Sequence, residues 1–259
     1  MQEKYNVISY GVDVRENKGL IRVLASDYSE VMSDINLSSL YSSRNAQDMF
    51  IIEPQDSYIE RNTSIVTGSP ISFVGGTLTL GGSGTYDNST AFITSGHELC
   101  IGDAIMYGGS TIGTVAEIQY TNNKYGDFAI ITASSGYTSS SAVFTTGGNI
   151  INFGGYLSDP AVGTYLYKYG KETGQAYCEV TDIGVSAWDY ENNIIIKGLT
   201  EVKIISGASD VDGNSGGPYR SDDYFCGVHS GSRVSDGVSY AYFTPYKYIY
   251  NNGFLIATN

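Results

Sequence analysis

The sequence predicts a mainly β protein in which a small α/β unit precedes a larger all-β region. Composition gives the first sign: 32 glycines and 23 tyrosines in 259 residues, with only 16% charged side chains. Such a chain suits short strands joined by many turns. The second sign is the pattern from Ile65 to Ser206, where β-branched and aromatic runs are broken every few residues by Gly, Asn and Ser. Regular short strands with glycine turns indicate a sandwich or barrels. The third is that the first half holds one convincing long helical stretch, over 28–41.

Taken in order, residues 5–12 and 20–25 read as strands joined by the turn Glu16-Asn17-Lys18-Gly19. Ser26 and Asp27 can cap the helix, and Val31, Ile35 and Leu40 fall roughly on one of its faces. Met49–Ile52 reads as a third strand. Pro54 and the polar stretch Gln55–Ser64 read as a linker, which divides the chain into 1–62 and 63–259. Further strands are expected at 71–80, 90–95, 111–120, 127–133, 150–156, 163–169, 176–187 and 193–199. A short helix is expected over Tyr246–Asn252, after Pro245.

Charge and cysteine usage exclude several classes. The net charge is −13, from 14 basic and 27 acidic residues. Nucleic acid and anionic membranes are therefore not expected as partners. No run of 18 apolar residues is present to span a bilayer. Cys100, Cys178 and Cys226 are odd in number, so a complete disulfide framework is impossible, and all three read as buried small hydrophobes. Cys/His spacing for a metal is missing; no metal or cofactor is expected, and the chain is expected to be a monomer.

One stretch organises the chemistry: Asp212–Ser232, DGNSGGPYRSDDYFCGVHSGS. Glycines around Ser215 let the backbone turn sharply and aim N–H groups at one point, which can hold a developing oxyanion. A serine hydroxyl needs a base to become nucleophilic, and only His97 and His229 are available. His97 ends the apolar run Ala91-Phe-Ile-Thr-Ser-Gly-His97. An imidazole base needs a carboxylate to orient it. Asp127, in Gly126-Asp-Phe-Ala-Ile-Ile131, heads an apolar strand and is the best candidate.

In that order and in those words the chain resembles the chymotrypsin-like serine endopeptidases, specifically the bacterial streptogrisin and alpha-lytic branch. FITSGH, GDFAII and GNSGGP match the blocks that hold the family's histidine, aspartate and serine. Tyr169-Gly-Lys-Glu-Thr-Gly174, Lys197-Gly-Leu-Thr200 and Tyr242-Phe-Thr-Pro245 follow the same family order, so the likeness spans roughly 64–259. It implies two six-stranded Greek-key barrels with the cleft between them. His97 and Asp127 would come from the first barrel and Ser215 from the second, with the N–H groups of Gly213 and Ser215 as the oxyanion hole. Asn214 replaces the aspartate usual before the serine, which implies hydrogen bonds in place of a buried ion pair with the segment at Tyr167-Lys168.

The same resemblance implies a pocket. Gly227-Val-His-Ser-Gly-Ser232 is similar to the pocket wall of glutamate-specific relatives, making His229, Ser230 and Ser232 candidate substrate-binding residues for an acidic P1 side chain. Asp210 and Asp212, near the expected pocket floor or rim, argue instead for a basic P1 residue, and Ser209 stands where trypsin-like enzymes carry their aspartate. A small apolar P1 preference, or a catalytically silent binding module, are the other readings. Residues 12–22 resemble the end of a streptogrisin-type pro-region. Resemblance therefore implies a zymogen of a secreted enzyme acting on protein or peptide, its signal peptide outside this chain, with Glu60–Arg61 a candidate processing bond.

Overall fold

A computed structural model of the chain describes residues 7–13, 15–39, 49–55, 63–208 and 213–259. The chain divides into two compact units, Met1–Arg61 and Asn62–Asn259. In the first, β1 (Val7–Asp13) pairs antiparallel with β2 (Lys18–Leu24), helix α1 (Tyr28–Ser39) crosses over, and β3 (Phe50–Gln55) returns parallel to β2. The unit buries Val23 and Val31, with Ile21, Tyr28 and Ile52 packed around them. The side chains of Ile35 and Leu40, also expected on the apolar face of the helix, lie outside the described residues, as does the bond Glu60–Arg61.

The second unit begins with β4 (Thr63–Ser64), β5 (Pro70–Phe73), β6 (Gly76–Thr79), β7 (Gly82–Tyr86), β8 (Ser89–Thr94), β9 (Ala104–Tyr107), β10 (Ser110–Gln119), β11 (Lys124–Tyr125) and β12 (Phe128–Ala133). Short pieces follow: β13 (Tyr137–Thr138), β14 (Ala142–Phe144), β15 (Ile150–Asn152) and β16 (Gly155–Tyr156). The chain ends with β17 (Tyr165–Gly170), β18 (Gly174–Asp189), β19 (Ile194–Ser206), β20 (Pro218–Ser221), β21 (Tyr224–Ser235), β22 (Val238–Pro245), α2 (Tyr246–Asn251) and β23 (Leu255–Ile256).

Two closed barrels follow from the pairing. In the first sheet the order runs β7-β8-β12-β10-β9-β5-β6, with β23 added beside β7. β6 and β7 stand at opposite ends of that order yet are joined through Leu80-Gly81, so they are two halves of one bent strand that closes the sheet into six. In the second sheet β19-β18-β17-β20-β21 is closed by β22, which pairs with both β19 and β21. This gives another ring of six, to which β11 and β16 add at the edges. Closure gives each of the six strands in a ring two neighbours.

The runs AFIT and FAII are apolar at successive positions because β8 and β12 are buried on both faces. Phe92, Ala129 and Ile131 fill the first barrel with Ile71, Leu78 and Ile105. Ala91, Ile93, Phe128 and Ile130 face the other way, against Phe225, Val228 and the α2 residues Tyr246 and Ile249. Leu166, Val180, Val202, Tyr219 and Phe243 fill the second barrel.

Several details differ from the sequence reading, among them the strand expected at 150–156, which is split into β15 and β16 in different sheets. The strand expected at 71–80 is a hairpin, β5–β6, that turns at the exposed Val74. Strands β7 and β9 were not anticipated. Cys100 is exposed, whereas Cys178 and Cys226 are buried free thiols.

Candidate active site

His97 leaves the end of β8 through Ser95-Gly96, and Asp127 sits one residue before β12. Because β8 and β12 pair directly, their ends bring the two side chains together. Asp127 is fully buried. Its Oδ1 accepts hydrogen bonds from the backbone N–H of Gly96 (2.8 Å) and of His97 (3.0 Å), and its Oδ2 lies 2.6 Å from His97 Nδ1. Across the site, His97 Nε2 lies 2.8 Å from Ser215 Oγ. The carboxylate is thus held by donors on both oxygens, the arrangement that makes a buried charge tolerable.

The carboxylate also sets the imidazole's proton affinity. Burial pulls the His97 pKa down, but the charge and hydrogen bond of Asp127 outweigh it. Glu98 and Asp189 add to them, and the net value rises from 6.5 to about 9. The Asp189 side chain takes a hydrogen bond from Tyr120, whose ring packs edgewise on His97 at 6.0 Å between centroids.

Ser215 lies in a turn that only glycine permits. Gly216 has φ +83°, and a Cβ there would meet Thr94 Oγ1 at 2.0 Å; one at Gly217 would meet the Tyr169 carbonyl at 2.1 Å. The turn is therefore wedged between the two barrels. Backbone bonds tie it to β21: Gly216 N–H donates to His229 O (2.9 Å) and His229 N–H to Gly217 O (2.8 Å). Asn214 is buried; its Nδ2 donates to Thr173 Oγ1 (3.0 Å), and its Oδ1 accepts from the Glu172 N–H (3.1 Å).

His229 is completely buried on β21. Its Nδ1 lies 3.2 Å from Tyr219 Oη and its Nε2 lies 3.4 Å from the Nζ of Lys168, itself only 2% exposed. With both nitrogens engaged, the ring can donate to a bound carboxylate only by exchanging one of these partners. Ser230 is half-buried with Oγ 3.3 Å from Thr244 Oγ1, and Ser232 is exposed. Ser209, Asp210 and Asp212 lie outside the described residues.

The sequence reading missed several of these neighbours. Thr244 receives the Asp127 N–H (2.8 Å) and donates to the Asp127 carbonyl (3.0 Å); it lies in the quoted YFTP word but carried no assigned role. Lys168 and Tyr219 gave no signal as neighbours of His229. Thr79, buried between the barrels, belongs to no motif.

Comparison with protein-family models and with curated proteins gives no sequence match. Solved structures do match. Cellulomonas bogoriensis chymotrypsin superposes with a TM-score of 0.64 at 22% identity, over 76% of this chain and 100% of its own. Thermobifida fusca Protease A gives 0.66 at 22% identity, over 76% and 100%. A glutamic acid specific serine protease, said to use a histidine triad in substrate binding, gives 0.62 at 21% identity, over 74% and 100%. Likeness at such identity is a likeness of fold, and its extent matches the two barrels: the chain has the chymotrypsin-like double-barrel fold found in bacterial serine proteases.

Proposed function

We propose that the protein is a serine endopeptidase. The observation that carries this is the unbroken hydrogen-bonded chain from Asp127 through His97 to Ser215. In this reading Ser215 Oγ attacks the scissile carbonyl carbon while His97 Nε2 takes its proton. The new oxyanion is received by the N–H groups of Gly213 and Ser215. His97 then gives the proton to the leaving amine, and water repeats the sequence to release the acyl group. Asp127 keeps the Nδ1 proton in place and stabilises the imidazolium that forms. The test is labelling by a fluorophosphonate probe: the native chain should react, and the heat-denatured chain and Ser215→Ala should not. Equal labelling of Ser215→Ala would make another residue the nucleophile, and a chain unreactive both before and after removal of residues 1–62 would leave a binding module.

The reading extends to specificity for glutamate, or aspartate, at P1. It is supported by the buried Lys168 ammonium behind His229 and by the wall word GVHSGS. Desolvating a substrate carboxylate must be offset by fixed donors, and this cluster, with Ser230 and Ser232, is the source proposed for them. The second reading, a basic P1 residue, rests on Asp210 and Asp212. A panel of Glu, Asp, Gln, Lys, Arg, Phe and Ala peptides decides: Glu should lead, and the lead should collapse in His229→Ala. A lead by Lys or Arg would replace the first reading with the second.

Residues 1–62 are read as a pro-segment of an exported, monomeric enzyme, because a compact β-β-α-β unit precedes a polar linker. N-terminal sequencing of the active form should start between Gln55 and Ile65. Full activity in a chain still beginning near Met1 would make the unit an accessory domain.

A further inference from the structure

Thr79, the last residue of β6, spends every polar group it has on the boundary between the barrels. It is fully buried. Its N–H donates to the Ser215 carbonyl (2.9 Å) and its Oγ1 donates to the Gly213 carbonyl (2.8 Å). The same Oγ1 accepts the N–H of Lys171 (3.1 Å), in the turn between β17 and β18. Its own carbonyl accepts from Thr94 Oγ1 (2.9 Å), three residues before His97. One first-barrel residue therefore grips the second-barrel turn on both sides of Asn214, and it is tied in turn to the strand that carries His97.

We infer that Thr79 is a positioning residue for the oxyanion turn, an inference that rests on the endopeptidase reading above. Peptide groups are planar, so anchoring the Gly213 and Ser215 carbonyls fixes peptides 213–214 and 215–216. The peptide between them, 214–215, carries the Ser215 N–H, and both of its flanking neighbours are now held. A donor works on a developing oxyanion only if it is aimed before the charge appears. The hydroxyl is the part of Thr79 that makes this possible. A valine would fill the same space but leave the Gly213 carbonyl and the Lys171 N–H, both on half-buried residues, without this partner.

The test compares Thr79→Val with Thr79→Ser, using hydrolysis of p-nitrophenyl acetate as a small acyl donor that needs no pocket. The valine variant should lose about 10- to 100-fold in kcat with little change in KM, as expected for a misaimed donor. Serine restores the hydroxyl and should return kcat to within about threefold of wild type. A merely structural threonine would lower the urea midpoint in both variants and leave kcat of the folded fraction unchanged; that result overturns the inference. So does a serine variant as slow as the valine variant, since the methyl group would then be what matters. Should Thr79→Val fail to fold, Thr79→Ala against Thr79→Ser repeats the comparison, and equal kcat values overturn the proposal. Wild-type protein without Ser215-dependent turnover would instead sink the endopeptidase reading itself.

Discussion

Replacing Asp127 by asparagine should disable His97 in a way that can be read twice. Asparagine keeps an oxygen for the Gly96 and His97 N–H groups. Its other end, however, becomes an NH₂ that points at His97 Nδ1. That nitrogen must then act as an acceptor, and the ring proton moves to Nε2. A protonated Nε2 donates to Ser215 Oγ and cannot take its proton. Loss of the correct tautomer in such a triad lowers kcat by about 10⁴-fold.

The second readout is proton affinity. Burial lowers the His97 pKa, and Asp127 supplies the charge and hydrogen bond that outweigh it, carrying the value to about 9. Activity needs the neutral ring, so kcat/KM of the wild type should rise with pH along a limb displaced above 6.5 toward 9. In Asp127→Asn burial is left with only the smaller charges, and the limb should fall back to 6.5 or below. Stability follows with a defined sign. The folded wild type holds the His97 proton more tightly than the unfolded chain does. Its contribution is therefore complete below pH 6.5 and is lost as pH rises through about 9. A change from 6.5 to about 9 corresponds to about 3 kcal/mol. Urea unfolding in a Ser215→Ala background, with and without Asp127→Asn, should show a gap that closes by about that amount between about pH 6 and about pH 9.5. A wild-type limb at or below 6.5, or an asparagine variant slowed less than about tenfold, would refute the assignment of Asp127 as orienter.

Two further expectations concern packing. Gly216→Ala puts a Cβ 2.0 Å from Thr94 Oγ1 at φ +83°, and should destabilise the protein by about 3 kcal/mol or more in urea unfolding; an unchanged midpoint would mean that the turn is not wedged between the barrels. Burial pushes the Cys178 and Cys226 thiols up to about 12 while Cys100 is exposed, so a chromogenic disulfide should titrate one thiol in the native chain and three after denaturation. More than one fast native thiol would contradict the second-barrel core.

Sequence reading succeeded where local pattern and local chemistry agree. Ala91-Phe92-Ile93 and Phe128-Ala129-Ile130-Ile131 are apolar at every step because both strand faces are buried, and that leaves a run visible in the sequence. The glycines of GNSGGP mark a backbone with no room for side chains, which is why the serine stood out. The reading failed where neither cue operates. In Phe73-Val74-Gly75-Gly76 a β-branched valine extends the apparent strand, although it forms the 99% exposed tip of a hairpin. Cys100, apolar by composition, is exposed in a turn where its N–H is bonded to the Asp103 carboxylate, while its neighbour Leu99 takes the place in the barrel core. Lys168 alternates with tyrosines along Tyr165-Leu-Tyr-Lys-Tyr169, and the inward face of that strand is the one with Leu166 and Lys168. Polarity would assign the faces the other way round, so the burial of a lysine there was not legible.

The least legible residues are the threonines, and together they explain why a site split between two barrels can be rigid. Asp127 belongs to the first barrel, yet its N–H and carbonyl are both bonded to Thr244 of the second. Ser215 belongs to the second barrel, yet its carbonyl and that of Gly213 are bonded to Thr79 of the first. Each barrel thus holds the other's part of the proposed triad. Threonine suits both positions for one reason: a single oxygen donates and accepts at once, on a β-branched side chain with few rotamers to lose. A valine would keep the shape and lose the link, while a longer polar side chain would not fit the fully buried sites these residues occupy. A relative displacement of the barrels has to break such bonds at the fully buried Thr79, Thr244 and Asp127. The 2.8 Å contact between His97 and Ser215 is therefore a property of the interface between the barrels, built from residues about 120 to 135 positions apart, and no window of sequence contains it.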